Sequence, residues 1–383
     1  MKMKSITPGP ISTRIFTGEI LTLSISTLLT DTMSIPSTAR HYSVQKAGSL
    51  DGLKLVEAPV PKLKSTEVLV KVKAVSLQYR DLLVVNGYYP PPIAENVVPC
   101  SDMAGEVVAV GEDVTKWKAG DRVANNFFLD LIYPDGMTPA VSSSAAGGAA
   151  HGVLTEYRAF PAHALVEIPG HLSWEEAATL PCAALTAYNA LVYGYERIKA
   201  GDTVLIQGTG GVSIFALQFA VASGATAIVL SSSDEKLAAV TKLGAKHVLN
   251  YKTTPDWEQD VLKLTGGRGV DRVIEVVGNA TLAKSIAAVR MGGSIDIIGL
   301  LGGVGNVTPP DIIGPSLWKQ LKFRGIYVGA VSQFEDMNRV FVANPETTRP
   351  IVDKVFAFDD ANDAFSYLNS QKHVGKVVIR VNQ

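Results

Sequence analysis

The stretch Val204-Leu-Ile-Gln-Gly208-Thr-Gly210-Gly211-Val-Ser213 decides the fold. A short apolar strand over 203–207 runs into a glycine turn, and the turn opens a helix over 212–223. In that context a GxG turn cradles the pyrophosphate of a dinucleotide. Gly208 permits the tight turn. Gly210 lets the backbone approach the phosphates, whose charge meets the helix N-terminus. Gly211 and Val212 complete the candidate phosphate contact. Ser213 stands where the usual spacing has a third glycine, and serine is small enough to keep helix and sheet close.

Downstream, strands are expected over 227–230, 247–249, 273–277, 294–298 and 323–328, with helices over 234–243 and 256–264. Six short strands with intervening helices predict an α/β, doubly wound parallel sheet. Upstream, 40–169 reads as strand and turn. Lys71 and Lys73 alternate with apolar neighbours over 68–75, further strands fall at 105–111 and 154–160, and 118–123 is a turn into a strand. The Gly-, Ala-, Ser- and Pro-rich 130–152 is expected to be mostly loop. A helix signal starts at Ser173, with Glu175 and Glu176 in its first turn. The tail carries helices over 335–343 and 359–369 and a last strand over 376–380. That strand is expected to complete the first domain, making the parallel-sheet domain an insertion. The boundaries drawn are 39–180, 181–328 and 329–383.

The second strand of the parallel sheet ends Leu230-Ser231-Ser232-Ser233, where an NAD-specific site usually has an acid on the adenine ribose. Without an acid, the hydroxyls of Ser231 and Ser232 can donate to a ribose phosphate, and Lys236 adds charge. Asp234 and Glu235 work against it. The balance favours NADPH over NADH.

Composition excludes other classes. In 383 residues, 47% are hydrophobic and 19% charged, unlike a disordered chain. Thirty-five basic against 36 acidic residues, with no basic block, give no reason to expect a nucleic-acid partner. Two cysteines, Cys100 and Cys182, exclude a disulfide-dense scaffold and a four-cysteine zinc site, and read as reduced thiols of an intracellular protein. The apolar run over 20–29 is too short and polar to span a membrane, so no membrane association is expected. Residues 1–38 are expected to be a disordered extension. Residues 1–32 read as dispensable ahead of Met33 in a cytoplasmic protein, or as a mitochondrial transit segment. The Tyr42-x-x-x-Lys46 spacing, used by another reductase class, precedes any cofactor strand and is assigned to chance.

With these motifs placed, residues 40–383 resemble the medium-chain dehydrogenase/reductase superfamily, above all its zinc-independent branch of quinone oxidoreductases and NADP-dependent alcohol dehydrogenase-like proteins. The likeness is carried by Val75-Ser-Leu-Gln-Tyr-Arg-Asp-Leu82, Ser101-Asp-Met-Ala-Gly-Glu-Val-Val-Ala-Val-Gly111, Gly120-Asp-Arg-Val123, Leu180-Pro-Cys-Ala-Ala-Leu-Thr-Ala187, the glycine turn and Gly266-Gly-Arg-Gly-Val-Asp271. It implies a GroES-like β domain wrapped around a Rossmann domain, with the active-site cleft between them and NADPH across it. It also implies a homodimer joined through the Rossmann edge strand, here 323–328, and an unpaired apolar edge suits such pairing.

The resemblance places Gln78, Ser101 and Cys182 at the positions of catalytic zinc ligands, with Asp102 beside them. These make a poor tetrahedral zinc set, and 125–152 has no cysteine for a structural zinc, so a metal-free protein is expected. Carbonyl polarisation then falls to hydrogen-bond donors. Tyr79 matches the tyrosine of the Asn-Tyr-x-Asp pattern in zinc-free relatives, with Gln78 replacing the asparagine. Arg80 stands where zinc enzymes have a Ser or Thr relay and could bind cofactor or substrate; Asp81 is expected to order the loop. Tyr89 falls where 2-enoyl thioester reductases of the superfamily have their catalytic tyrosine, though the same loop also reads as a turn with wall aromatics. Asp102 is a proton relay or a remnant acid that orders the site, and His151 could line the cleft. Likeness assigns Thr186 to the nicotinamide ribose and phosphates, Lys236 and Tyr251 to the adenosine side, and Gly278, Gly299 and Leu300 to strand ends where ligands bind.

The expected function is NADPH-dependent hydride transfer to a small apolar carbonyl compound (quinone, enone, enal or aldehyde) or the reverse alcohol oxidation. A 2-enoyl thioester reductase is the alternative: Tyr89 favours it, while no Lys/Arg cluster marks a thioester carrier's entrance. A non-catalytic NADPH-binding protein and a zinc-type alcohol dehydrogenase are the remaining alternatives.

Overall fold

The structure is a computed structural model describing residues 35–299, 301–302 and 308–381. The readings made for residues 1–34 and for Leu300 lie outside the described residues.

Six strands form one wholly parallel sheet in the spatial order His247–Asn250, Thr226–Ser231, Thr203–Gln207, Val270–Glu275, Val289–Ile297, Lys322–Gly325. Numbered along the chain this is 3-2-1-4-5-6, the doubly wound dinucleotide-binding order, with the switch point beside the glycine turn. The central strand Val270–Glu275 is buried at every position, as a strand covered on both faces must be. The helix Gly211–Ala222 is apolar nearly all round because it too is covered on both sides. One cover is the helix Val331–Ala343, whose Phe341 packs edge-on against Phe215 and Phe219. A boundary at 329 assigns this helix to the outer domain, yet its aromatic face packs on the nucleotide-binding layer.

The second sheet has the order Val352–Ala357, Lys376–Arg380, Glu67–Ser76, Asp102–Val110, Arg122–Asn125, Leu165–Glu167, and Tyr157–Pro161 also pairs with Glu67–Ser76. All its pairs are antiparallel except the first. The strand Lys376–Arg380 lies inside this sheet, with Val378 opposite Ser76. Together the sheets give the GroES-like β domain and the Rossmann domain.

Three local features depart from the sequence reading and bear on the site. The first is a helix, Tyr79–Val85; the Asp81 carboxylate accepts the Gln78 N–H (2.7 Å) and so caps it. Leu180–Ala184 forms one π-helical turn leading into the helix Leu185–Val192. The last strand of the parallel sheet stops at Gly325, short of the expected 328, because the chain turns away through Val328 at φ +59°. Among the described residues no helix is long and apolar enough to cross a membrane.

Candidate active site

The glycine turn has the shape a pyrophosphate requires. Gly208 sits at φ +75°, in the left-handed region, and its N–H donates to the Leu230 carbonyl (2.8 Å), tying the first two strand ends together. A side chain built on Gly210 would meet nothing within 4 Å, so the turn is open on that side. The twelve-residue helix behind it presents its N-terminal N–H groups to the opening. Gly211 is closed from below: a Cβ there would lie 2.4 Å from Cδ of Lys376, whose stem crosses the turn. Val212 is half-buried. The Ser213 hydroxyl donates to the Gln207 carbonyl (2.7 Å), so the residue replacing the third glycine fastens helix to strand.

Ser231 ends the second strand, buried, and its carbonyl accepts the Tyr251 N–H (3.0 Å), bringing both candidates to adjacent strand ends. Ser232 follows, half-buried, and the Ser233 hydroxyl caps the helix Asp234–Lys242. Lys236 is placed differently from expectation. Its Nζ donates to the carbonyls of Gln371 (2.7 Å) and His373 (3.0 Å), so the ammonium anchors the C-terminal turn instead of standing free for a ribose phosphate. Thr186 is buried in the helix Leu185–Val192. Gly278, at φ +92°, and Gly299 follow the fourth and fifth strands; a Cβ on Gly299 would lie 2.3 Å from the Val276 carbonyl oxygen. Beneath them lies Glu275, which sequence reasoning missed. Its buried carboxylate accepts from Gln207 Nε2 (2.7 Å), Ser285 Oγ (2.6 Å), Thr281 Oγ1 (2.7 Å) and the N–H groups of Val277 and Gly278 (3.0 and 2.9 Å). It knits the two central strand ends together, a role with no local signature in sequence.

Asp102 is wholly buried. Its carboxylate accepts from Gln78 Nε2 (2.5 Å), Ser101 Oγ (2.5 Å) and the Cys182 N–H (3.0 Å). Burial is the main cause that raises its pKa to about 6, opposed by the nearby Lys376 charge. Lys376 donates to the Leu77 carbonyl, and burial lowers its own pKa against Asp102, Cys182 and Asp81. An acid enclosed and engaged in this way ties together the Gln78, Ser101 and Cys182 segments.

The open wall is aromatic. The hydroxyls of Tyr89 and Tyr327 are hydrogen-bonded to each other. The Arg80 guanidinium lies over the rings of Tyr89 (5.4 Å) and Phe127 (4.7 Å), and its Nη2 donates to the Ala146 carbonyl (2.5 Å). Arg80, expected as a cofactor or substrate ligand, is therefore packed into the wall behind Tyr89. Tyr79 is partly exposed on the first turn of its helix, and Tyr88 is exposed. His151 belongs elsewhere: its Nδ1 accepts the Val98 N–H (3.2 Å), and it lines a separate cavity with His41, Tyr157 and Arg158. Tyr42 is likewise remote from this chemistry, its hydroxyl bonded to the Asp359 carbonyl (3.2 Å).

Residues 64–170 match the family model of the alcohol dehydrogenase GroES-like domain, and residues 211–343 that of the zinc-binding dehydrogenases. Over 348 residues the chain is 49% identical to a zinc-type alcohol dehydrogenase-like protein of Schizosaccharomyces pombe, covering 90% of this chain and 99% of that one. The chain belongs to the medium-chain dehydrogenase/reductase superfamily. Another member, the acryloyl-coenzyme A reductase of Metallosphaera sedula, is 29% identical over 347 residues, covering 87% of this chain and 97% of the relative. Among solved members, a 2-octenoyl-CoA carboxylase reductase in complex with NADP and 2-octenoyl-CoA superposes with TM-score 0.78 at 26% identity, covering 91% of this chain and 88% of that one.

In this medium-chain dehydrogenase/reductase the residues at the catalytic-zinc positions do not fit zinc. The Gln78 amide and the Ser101 hydroxyl are turned onto Asp102, and burial beside Asp102 drives the Cys182 thiol far from thiolate formation. Among the described residues no three His, Cys, Asp or Glu side chains gather as a metal site.

Proposed function

We propose that the chain is an NADPH-dependent reductase of conjugated carbonyl compounds, of the zinc-independent branch of its superfamily, and that 2-enoyl thioesters are its best-fitting substrates. The carrying observation is the Tyr89 phenol. It stands on the cleft wall with a second hydroxyl and a guanidinium behind it, while the metal-ligand positions are bonded among themselves. NADPH, when bound, supplies a hydride for the β-carbon. The chain's own part is to hold the dinucleotide at the glycine turn, present the Tyr89 hydroxyl to the carbonyl oxygen, and donate the proton that balances the reduction. Tyrosine phenols retain their proton at neutral pH, which suits a donor to a developing oxyanion. The likeness to enzymes named for acryloyl-CoA and 2-octenoyl-CoA supports the thioester over a simple aldehyde. The exposed ring of Tyr327, backed by the buried Phe127 and Phe128, also suits quinones and enones, the second reading.

The deciding experiment is initial-rate oxidation of NADPH and NADH at 340 nm, without added metal, over crotonyl-CoA, acryloyl-CoA, enones, quinones and saturated aldehydes. An NADPH-dependent rate highest on the enoyl-CoA compounds is expected. A rate confined to saturated aldehydes, or one that requires zinc, would refute the reading.

A homodimer is part of the proposal. The edge strand Lys322–Gly325 follows in sequence the short helix Ile313–Trp318, whose Ile313, Leu317 and Trp318 are exposed at 78%, 64% and 76%. A strand edge with no partner among the described residues, together with an exposed apolar patch, fits a second copy of the same surface.

A further inference from the structure

We propose that Tyr327 is a positioning residue for this reductase reaction, holding Tyr89 as proton donor through the hydroxyl–hydroxyl bond that crosses the cleft. The inference rests on the reductase reading above and assigns a function to a residue with no local signal in sequence.

The two tyrosines come from different domains. Tyr89 follows the helix Tyr79–Val85 of the β domain, and Tyr327 lies two residues beyond the last strand of the parallel sheet, 238 positions away in sequence. The fold holds Tyr327 in place at a conformational cost. Its neighbour Val328 sits at φ +59°, a left-handed conformation that is a genuine outlier for a β-branched residue. Such strain persists only where the surroundings over-determine it, and here they do. The Val328 carbonyl accepts from Asn189 Nδ2 (2.6 Å), and Asn189 Oδ1 in turn accepts from Arg324 Nη2 (2.6 Å) and Gln333 Nε2 (3.1 Å). The Gly329 carbonyl accepts from Asn126 Nδ2 (3.2 Å), which reaches over from the β domain.

The ring is held as firmly as the backbone. Tyr327 packs perpendicular to Phe128 (4.8 Å, 90°) and tilted against Phe127 (5.8 Å), fixing where its hydroxyl points. Burial and the bond to Tyr89 push the Tyr327 phenol well above the ordinary tyrosine range, so it remains a donor. Over the Tyr89 ring lies the Arg80 guanidinium, 5.4 Å from its centroid. Tyr89 is thus held through its hydroxyl by Tyr327 and over its ring by Arg80.

In the reductive step the β-carbon gains a C–H bond by taking hydride from NADPH, and the electron pair of the C=C bond moves toward the carbonyl oxygen. The O–H bond of Tyr89 breaks as its proton passes to the substrate. The electron pair left on the Tyr89 oxygen is stabilised by the Tyr327 O–H, and solvent at the exposed mouth returns the proton. Tyr327 gains and loses no proton, so it acts through Tyr89 and does not touch the reacting atoms.

The test compares wild type, Tyr327→Phe, Tyr89→Phe and the double variant on crotonyl-CoA and an enone, with kcat, KM, the solvent deuterium isotope effect on kcat, and NADPH affinity by fluorescence. Phenylalanine keeps the ring packing, so all four proteins are expected to fold and to bind NADPH alike. Tyr327→Phe is expected to lower kcat about tenfold, leave KM for NADPH unchanged and enlarge the solvent isotope effect. The double variant is expected to match Tyr89→Phe alone, because a residue acting through Tyr89 has nothing left to act on. Tyr327→Phe with wild-type kcat and isotope effect, or a double variant in which the two losses multiply, would overturn the assignment. A wild type that binds NADPH but turns over none of the acceptors would overturn the reductase reading and the assignment with it, an outcome distinct from an active wild type with an indifferent Tyr327→Phe.

Discussion

At Asp102, burial works against three hydrogen bonds and a neighbouring ammonium, and burial is the larger influence, holding the carboxyl pKa at about 6. The native state therefore binds a proton that the unfolded chain has already lost between about pH 4 and 6. This group's contribution to stability is greatest below that window, falls as pH rises through it, and is level above it. The neutral amide of an Asp102→Asn variant has no such slope. Relative to wild type, Asp102→Asn is expected to gain about 1–3 kcal/mol between pH 4 and pH 7, measured by urea unfolding at unit pH steps. A stability difference independent of pH would show that Asp102 does not titrate there. The residue is legible in sequence because it stands next to Ser101 in a recognisable stretch. Tyr327, Lys376 and Glu275 are not, because each draws its role from groups far along the chain: Tyr89, the glycine turn, and the Gln207 end of another strand.

Elements closed by short-range chemistry are legible to their ends. The strand Thr203–Gln207 is placed to the residue, since an apolar run ending in glycine carries its own boundary. The helix Tyr79–Val85 escapes a sequence reading because its capping pair, Gln78 and Asp81, reads as chemistry and not as a helix start. Two substitutions test what holds the elements at the cofactor turn. Gly211→Ala drives a methyl group into the Lys376 stem, and should cost about 1–3 kcal/mol and weaken NADPH binding, seen by thermal melting and fluorescence titration. An alanine variant as stable as wild type would mean the lysine stem moves aside freely. Glu275→Gln replaces one acceptor oxygen with a donor among five donors, and is expected to destabilise by about 2–4 kcal/mol in chemical unfolding. A loss below about 0.5 kcal/mol, the range of ordinary surface substitutions, would refute its role as the knot between strand ends.

For the whole molecule, the proposed dimer depends on the Ile313–Trp318 patch and the strand edge that follows it in sequence. Trp318→Glu adds a charge where a second copy would pack, and should shift the chain from dimer to monomer in sizing with light scattering, leaving the fold intact by circular dichroism. A dimer that survives the substitution would place the interface elsewhere. At this scale the alternation of strands and helices is legible in sequence, while the layer to which the helix Val331–Ala343 belongs is not. Its partners Phe215 and Phe219 lie more than a hundred residues earlier, and no local pattern announces them.

The strand Lys376–Arg380 sits inside the outer sheet, yet its partner Glu67–Ser76 leaves the ribosome about 300 residues sooner. At about 5–20 residues per second, that interval is about 15–60 s. Throughout it the nascent chain presents an open β edge, with Val75 and its neighbours unpaired on that side. Vectorial synthesis thus makes the outer sheet the last part of the protein to close, and the part with most need of a chaperone while it waits.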